Sequence, residues 1–211
     1  SINGNTGTDE AIVRAFDGFV DVYIDLQFST YFVPSKLTAQ DGMDVSLESF
    51  EKVTIDGNVA ATILGSSAAD TLVGDTGADV ITGRGGADTL TGGSKSDKFV
   101  FESGHTGITE ATADTITDFS TGTDKIDIDA PGTYVEADGT GTADFAAFIT
   151  AANASLTTAS DDIYAQFNFT GAGNTLVVID ENKSGTVDAG DTLIILTGLS
   201  TADGLDGSDF I

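Results

Sequence analysis

Residues 65–100 divide into four consecutive nine-residue units, GSSAADTLV, GDTGADVIT, GRGGADTLT and GGSKSDKFV. Their first position is Gly65, Gly74, Gly83 and Gly92, their sixth is Asp70, Asp79, Asp88 and Asp97, and their eighth is Leu72, Ile81, Leu90 and Phe99. Gly77 and Gly86 add glycine at the fourth position of the second and third units. A period this short and regular makes a chain stack like units on one another rather than fold as a conventional globule. The glycines allow a tight turn that side chains resist. The three residues after each Asp read as a short strand whose middle, apolar side chain points inward.

If two nine-residue halves complete one winding, alternate units share an edge. Asp70 then lies with Asp88, and Asp79 with Asp97. Carboxylates and turn carbonyls of successive windings face one another there, and hard oxygen donors of that kind suit Ca²⁺. Two well-formed calcium sites are expected, one per edge. The alternative is a set of ordinary Gly-Asp turns without metal, which would crowd carboxylates along each edge with no counterion.

The pattern resembles Gly-Gly-x-Gly-x-Asp-x-apolar-x of the RTX, or haemolysin-type calcium-binding, repeats. That resemblance implies a parallel β-roll. Residues 56–64 keep the apolar phase at Ile63 but place Ala61 where Asp is expected. A separate match, GNTGTDEAI, begins at Gly4 and carries Asp9, adding both as candidate calcium ligands. It implies that the sequence starts inside a longer solenoid. The expected fold is all-β: a parallel β-roll or β-solenoid with a C-terminal β-rich cap and one short helix. Its expected divisions are irregular solenoid turns over 1–56, the nonapeptide roll over 57–103, and a cap with a secretion-type region over 104–211.

Before the repeats, FVDVYIDLQF (19–28) alternates apolar and acidic residues as a half-buried strand does, and 45–55 reads as another strand leading into the roll. Tyr23, Phe28, Tyr31 and Phe32 fit either packing at a widened turn or a sugar-binding face.

After the repeats, DTITDF, a turn at Gly122 and DKIDI closely resemble the C-terminal region of serralysin-type secreted proteases. Surface-layer proteins, lipases and epimerases exported by the same route carry similar regions. Strands are expected at 115–119 and 125–128, with Ile116, Phe119, Ile126 and Ile128 covering the roll's open end. Asp114 and Asp118 either close the last calcium half-site or are surface acids. Residues 143–154 form an amphipathic helix, with Phe145, Phe148, Ile149 and Ala152 on one face and Thr142 as cap. Strands follow at 163–169 and 175–179.

DENKSGTVDAGD (180–191) places Asp180, Asn182, Ser184, Thr186, Asp188 and Asp191 at the oxygen-donor positions of an EF-hand-like loop, with Gly185 at the bend. Position twelve is Asp rather than Glu, and the flanks read as strands rather than helices. The segment is therefore not an EF-hand domain but a calcium loop joining two strands, or an acidic hairpin turn without metal. The ending Asp209-Phe210-Ile211 resembles the terminal signal of type I-secreted proteins, and a terminal strand would look the same.

Charge and composition narrow the function. With 34 acidic against 8 basic residues the net charge is −26, which argues against nucleic acid and anionic membranes as partners. No apolar run approaches the roughly 18 residues of a membrane span, so membrane insertion is not expected. There is no Cys, no HExxH and no G-x-S-x-G, and the single His105 sits in a Gly-rich connector. The chain is thus expected to be non-catalytic. With 40% hydrophobic residues it has the means to form a core.

The resemblance then implies a bacterial, secreted or cell-surface, calcium-binding module. It would pass the type I secretion machinery unfolded and fold on several Ca²⁺ outside. Two other readings stay open: the C-terminal part of a surface-layer or adhesin protein with calcium-dependent self-association, or an accessory domain of a secreted protease, lipase or epimerase.

Overall fold

The computed structural model of the chain describes residues 10–16, 19–25, 43–46, 52–56, 60–128, 132–137, 144–158, 162–169, 173–199 and 205–211. Its first strands, β1 (Glu10–Phe16) and β2 (Phe19–Asp25), form an antiparallel pair. In place of the single strand expected over 45–55 there are two, β3 (Met43–Ser46) and β4 (Lys52–Asp56), and they belong to different sheets. The reason lies in the apolar phase. Val45 pairs with Ile63 and Val53 with Leu72, so the two valines serve alternate rungs.

The rungs continue as β5 (Ala61–Leu64), β6 (Thr71–Val73), β7 (Val80–Thr82), β8 (Thr89–Thr91), β9 (Lys98–Val100), β10 (Asp114–Ile116) and β11 (Lys125–Asp127). From β5 to β11 each strand pairs in parallel with the strand two before it. The odd-numbered strands β3 to β11 make a parallel five-stranded sheet. The even-numbered β4 to β10 lie in a ten-stranded sheet that is mixed overall. Each short rung contributes one inward side chain. Ile63, Ile81, Phe99 and Ile126 come from one sheet, Leu72, Leu90 and Ile116 from the other, all at 0% exposure. The strands expected as a cover at 115–119 and 125–128 are shorter, and they are themselves rungs. Each carries the same Asp-x-apolar step as the units before it, at Asp114-Thr115-Ile116 and Asp124-Lys125-Ile126.

The chain then forms β12 (Tyr134–Ala137), α1 (Phe145–Ser155), β13 (Ile163–Phe169), β14 (Asn174–Ile179) and β15 (Thr192–Leu196). Strands β13, β14 and β15 are an antiparallel meander, and β15 lies parallel to β10, so the large sheet runs unbroken from the coil into the C-terminal region. Alternation along these strands serves two cores. Ile163, Ala165, Phe167, Val177, Ile179, Ile194 and Leu196 join the coil's apolar row. Tyr164, Phe169, Leu176, Val178 and Leu193 face the helix and meet Phe148, Ala152 and Leu156. The helix cap is Asp144, whose carboxylate accepts from the Ala147 N–H at 2.9 Å; the expected Thr142 lies outside the described residues. The C-terminal tail docks in parallel on β11. Phe210 is buried and bridges to Ile126, and the Ile211 backbone bonds to both Ile126 and Ile128, covering the small sheet's edge.

The turns hold the left-handed backbone positions. Asp75 (φ 79°), Arg84 (φ 69°) and Gly93 (φ 99°) take it at the second position of their units, Gly86 (φ 126°) and Lys95 (φ 83°) at the fourth. A Cβ at Gly93 would overlap the Asp75 carbonyl oxygen, whereas at Gly122 (φ 72°) the space is open. Gly122→Ala should therefore cost about 1–2 kcal/mol, the backbone strain alone. Gly93→Ala should cost clearly more, because the two windings must separate. Urea midpoints in calcium compare the two, and equal losses would mean that the windings do not press together at Gly93.

Candidate metal centre

Each turn between rungs places its sixth-position Asp beneath the turn two units before it. The Asp70 N–H donates to Asp88 Oδ1 at 2.8 Å, the Asp79 N–H to Asp97 Oδ1 at 2.8 Å, and the Ala61 N–H to Asp79 Oδ1 at 2.7 Å. The expected edges are thus present, Asp70 with Asp88 and Asp79 with Asp97. Ala61 keeps its place in the ladder through its backbone although it lacks a carboxylate.

Both edges run one step past the fourth unit. The Asp88 N–H donates to Asp114 Oδ1 at 2.9 Å and the Asp97 N–H to Asp124 Oδ1 at 3.0 Å. Asp114 is therefore the next carboxylate of the first edge. Asp118 stands differently, its oxygens accepting from the Gly92 and Gly93 N–H groups at 3.0 and 2.7 Å. Asp124 occupies the step on the second edge. Sequence reasoning passed over Asp124 because the connector breaks the nine-residue spacing, yet Asp-Lys-Ile repeats the Asp97-Lys98-Phe99 step and would have revealed it.

Asp70, Asp79, Asp88, Asp97, Asp114 and Asp124 are all buried, with exposures from 0% to 3%. One oxygen has no hydrogen-bond partner on each of Asp79, Asp88, Asp97 and Asp114, in every case Oδ2. The first-position glycines explain where these oxygens sit. A methyl group on Gly65 would lie 2.5 Å from the Gly83 carbonyl oxygen and 2.8 Å from Asp70 Oδ2. One on Gly74 would meet Asp79 Oδ2, with the Gly92 carbonyl oxygen at 2.6 Å. At these positions glycine is required for close approach, since none of the four has positive φ. The positive φ falls instead on the second and fourth positions. Gly77, at the fourth position of its unit, is buried in its turn.

Carboxylate and carbonyl oxygens therefore converge beside Gly65 and Gly74, while at Gly83 and Gly92 the nearest atoms are those of the unit's own Asp side chain. Among the described residues no three acidic, His or Cys side chains form a ready ligand group. A cation here would lean on main-chain carbonyls as much as on carboxylates, which is oxygen chemistry of the calcium type. The residues fit Ca²⁺: buried oxygens lack partners, and the charge they carry is costly alone.

Burial raises the Asp79 and Asp88 carboxyls to about 7, Asp97 to about 6 and Asp114 to about 8, opposed by the N–H group each accepts. Repulsion within the stack adds to it, from Asp97 on Asp79, Asp70 on Asp88, Asp124 on Asp97 and Asp88 on Asp114. Asp124 is raised as well, first by burial.

The loop 180–191 joins β14 to β15 as a hairpin. Asp180 accepts from the Ser184 and Gly185 N–H groups, and Asn182 from Ser184. Asp191 is pushed up to about 6 by burial, then by Asp180 and Asp188. Asp188 is held below the usual carboxylate range by the Gly190 N–H and the Asn182 amide. Gly4 and Asp9 lie outside the described residues, as do Phe28, Tyr31 and Phe32; Tyr23 lies in β2. His105 is paired with Glu102 at 3.4 Å.

Comparison with known proteins gives one family. Residues 64–98 match the RTX calcium-binding nonapeptide repeat, in four copies. No curated protein matches the chain.

A metal-free fold with these carboxyls holds more protons than the unfolded chain between their ordinary value of 3.8 and about 8. Its stability is thus fully present below the ordinary value and is lost as pH rises through about 6 to about 8. In calcium-free buffer, the β-structure seen by circular dichroism should be greatest near pH 5 and should be lost by about pH 8. Saturating calcium should remove or reverse the trend, because the ion binds the deprotonated form. A flat calcium-free profile would contradict the buried placement of these groups.

Proposed function

With four RTX repeats as the premise, we propose that this chain is a non-catalytic module whose coil folds by binding several Ca²⁺ along the two carboxylate edges, and that it belongs to a secreted bacterial protein exported by a type I route. The observation that carries the calcium reading is the set of buried, partnerless Oδ2 atoms on Asp79, Asp88, Asp97 and Asp114. Each stands in a turn of the stack the repeat pattern defines, and a divalent cation supplies the missing partner for several at once.

The export reading rests on thermodynamics and on the repeat family. In the unfolded chain the oxygens are not assembled, so ion-binding free energy appears as folding free energy. With a net charge of −26, the chain resists compaction until cations arrive. Calcium is scarce in the cytosol and roughly millimolar outside, within the affinity range of extracellular modules. A chain tuned to that range stays threadable inside and folds after leaving. The ordered segment after the repeats, and the tail docked on β11, support a cap that closes the coil. The similarity of DTITDF and DKIDI to serralysin-type regions fits the same role.

Far-UV circular dichroism tests the folding switch. Chelator should leave mostly coil-like signal and millimolar calcium should restore β-structure, with Mg²⁺ much poorer because it demands tighter octahedral geometry. Asp88→Asn should raise the calcium midpoint several-fold while keeping the shape of the side chain. A native spectrum in chelator would remove calcium-coupled folding as the function.

A further inference from the structure

The loop 180–191 lies in the C-terminal region, beyond the residues that match the repeat family, and calcium at the repeats leaves it unused. Two of its carboxylates, Asp180 and Asp191, are at 0% exposure although both stand at the ends of a surface hairpin. Asp180 is satisfied by the Ser184 N–H at 3.0 Å and the Gly185 N–H at 2.8 Å. Asp191 accepts the Asp188 N–H at 2.7 Å with Oδ2, but its Oδ1 is buried without a partner. That bond turns the Asp191 carboxyl toward the loop, and a buried anionic oxygen left alone there is expensive.

Other oxygens of the loop keep capacity for a ligand, although its three aspartate carboxylates are not gathered into one group before binding. Asn182 Oδ1 accepts from the Ser184 N–H at 2.9 Å, and the Thr186 carbonyl accepts from the Ser184 hydroxyl at 2.7 Å; each oxygen retains a further lone pair. Asp188 is held back. Its Oδ1 takes the Asn182 amide at 2.7 Å and the Gly190 N–H at 2.9 Å. The bend that brings these groups round uses left-handed backbone at Lys183 (φ 58°) and Gly185 (φ 73°).

We propose that residues 180–191 form a second calcium site, independent of the repeat edges, in which Asp180, Asn182, Asp188 and Asp191 supply side-chain oxygens and Thr186 its carbonyl. Oxygen-only donors in alternate loop positions suit a hard divalent cation of calcium size. Binding draws Asp188 from the Asn182 amide, and that exchange weakens the site toward the affinity range of extracellular modules. The consequence reaches past the loop. The Val187 N–H donates to Asn153 Oδ1 of α1 at 2.7 Å, and the Ser103 hydroxyl donates to the Gly190 carbonyl at 3.4 Å. An ion that stiffens the loop therefore fixes the helix and the segment leaving β9 onto the same hairpin.

Equilibrium dialysis of the full chain at calcium levels that saturate the circular dichroism signal tests this. Asp191→Asn and Asp188→Asn should each bind one ion fewer than the parent, with the β-signal at saturating calcium retained. Should Asp191→Asn fail to fold, Asp188→Asn, at a partly exposed position, carries the test. An unchanged ion count in a folded variant overturns the proposal. Asp88→Asn reports the repeats separately: a normal loop deficit beside an unaltered repeat count would sink the repeat reading and leave this one standing.

Discussion

Every winding of the coil is registered by one contact, the bond from a sixth-position carboxylate to the backbone N–H of its counterpart two units earlier. That contact does more than an ordinary side-chain hydrogen bond. It satisfies a buried N–H that the parallel ladder cannot reach, at a place where an unmade bond costs about 1–3 kcal/mol. It also fixes the direction of the second oxygen, which is left over the first-position glycine of the same unit. The geometry that makes the stack therefore creates its own electrostatic difficulty. Carboxylates are repeated at every second turn along each edge, most with an idle oxygen, and a cation resolves the difficulty with atoms already in place.

Much of this was legible in the sequence because it follows from period. Nine-residue spacing fixed the edges, and Asp70–Asp88 and Asp79–Asp97 are found bonded as that spacing requires. Where spacing failed, reading failed with it. Strands β3 and β4 merged into one because the eight-residue step from Val45 to Val53 hides a change of sheet. Asp124 was missed because a connector stretches the step from Asp97, while the shorter Asp-x-apolar signal survives the stretch. Asp118 shows a different limit. It lacks the Asp-x-apolar step, since Ser120 stands two residues on, and its carboxylate caps two glycine amides of a neighbouring turn that only the fold brings near.

The role of the glycines was half legible. Sequence alone assigns them to unusual backbone, and that holds at Gly86 and Gly93. At the first position the need is space, because the Asp carboxylate of the same unit, joined at Gly65 and Gly74 by the carbonyl of a later unit, occupies the volume a methyl group would take. Conformation and close approach lead to the same residue type by different routes, so a one-dimensional pattern cannot separate them. The distinction matters for function, since the second route brings the oxygens together.

The two halves of the molecule bury apolar surface in unequal amounts. A rung of the coil hides one side chain, as Leu72, Ile81, Leu90 and Phe99 do, and the rest of the rung is turn. A strand of the C-terminal meander hides side chains on both faces, and Val177 and Val178 sit in different cores. Hydrophobic burial scales with the apolar area removed from water, while the entropy of ordering scales with chain length. The meander therefore comes closer to balancing its own ordering cost than the coil does. Because β15 pairs with β10, the last rung of the large sheet is anchored to that better-supported part, and the tail does the same for β11 on the small sheet. Each earlier rung must rely on its neighbour and, on the calcium reading proposed above, on cations at the carboxylate edges. A stack of this kind should order outward from its anchored end as ions bind, since only there does a new rung find a completed turn waiting.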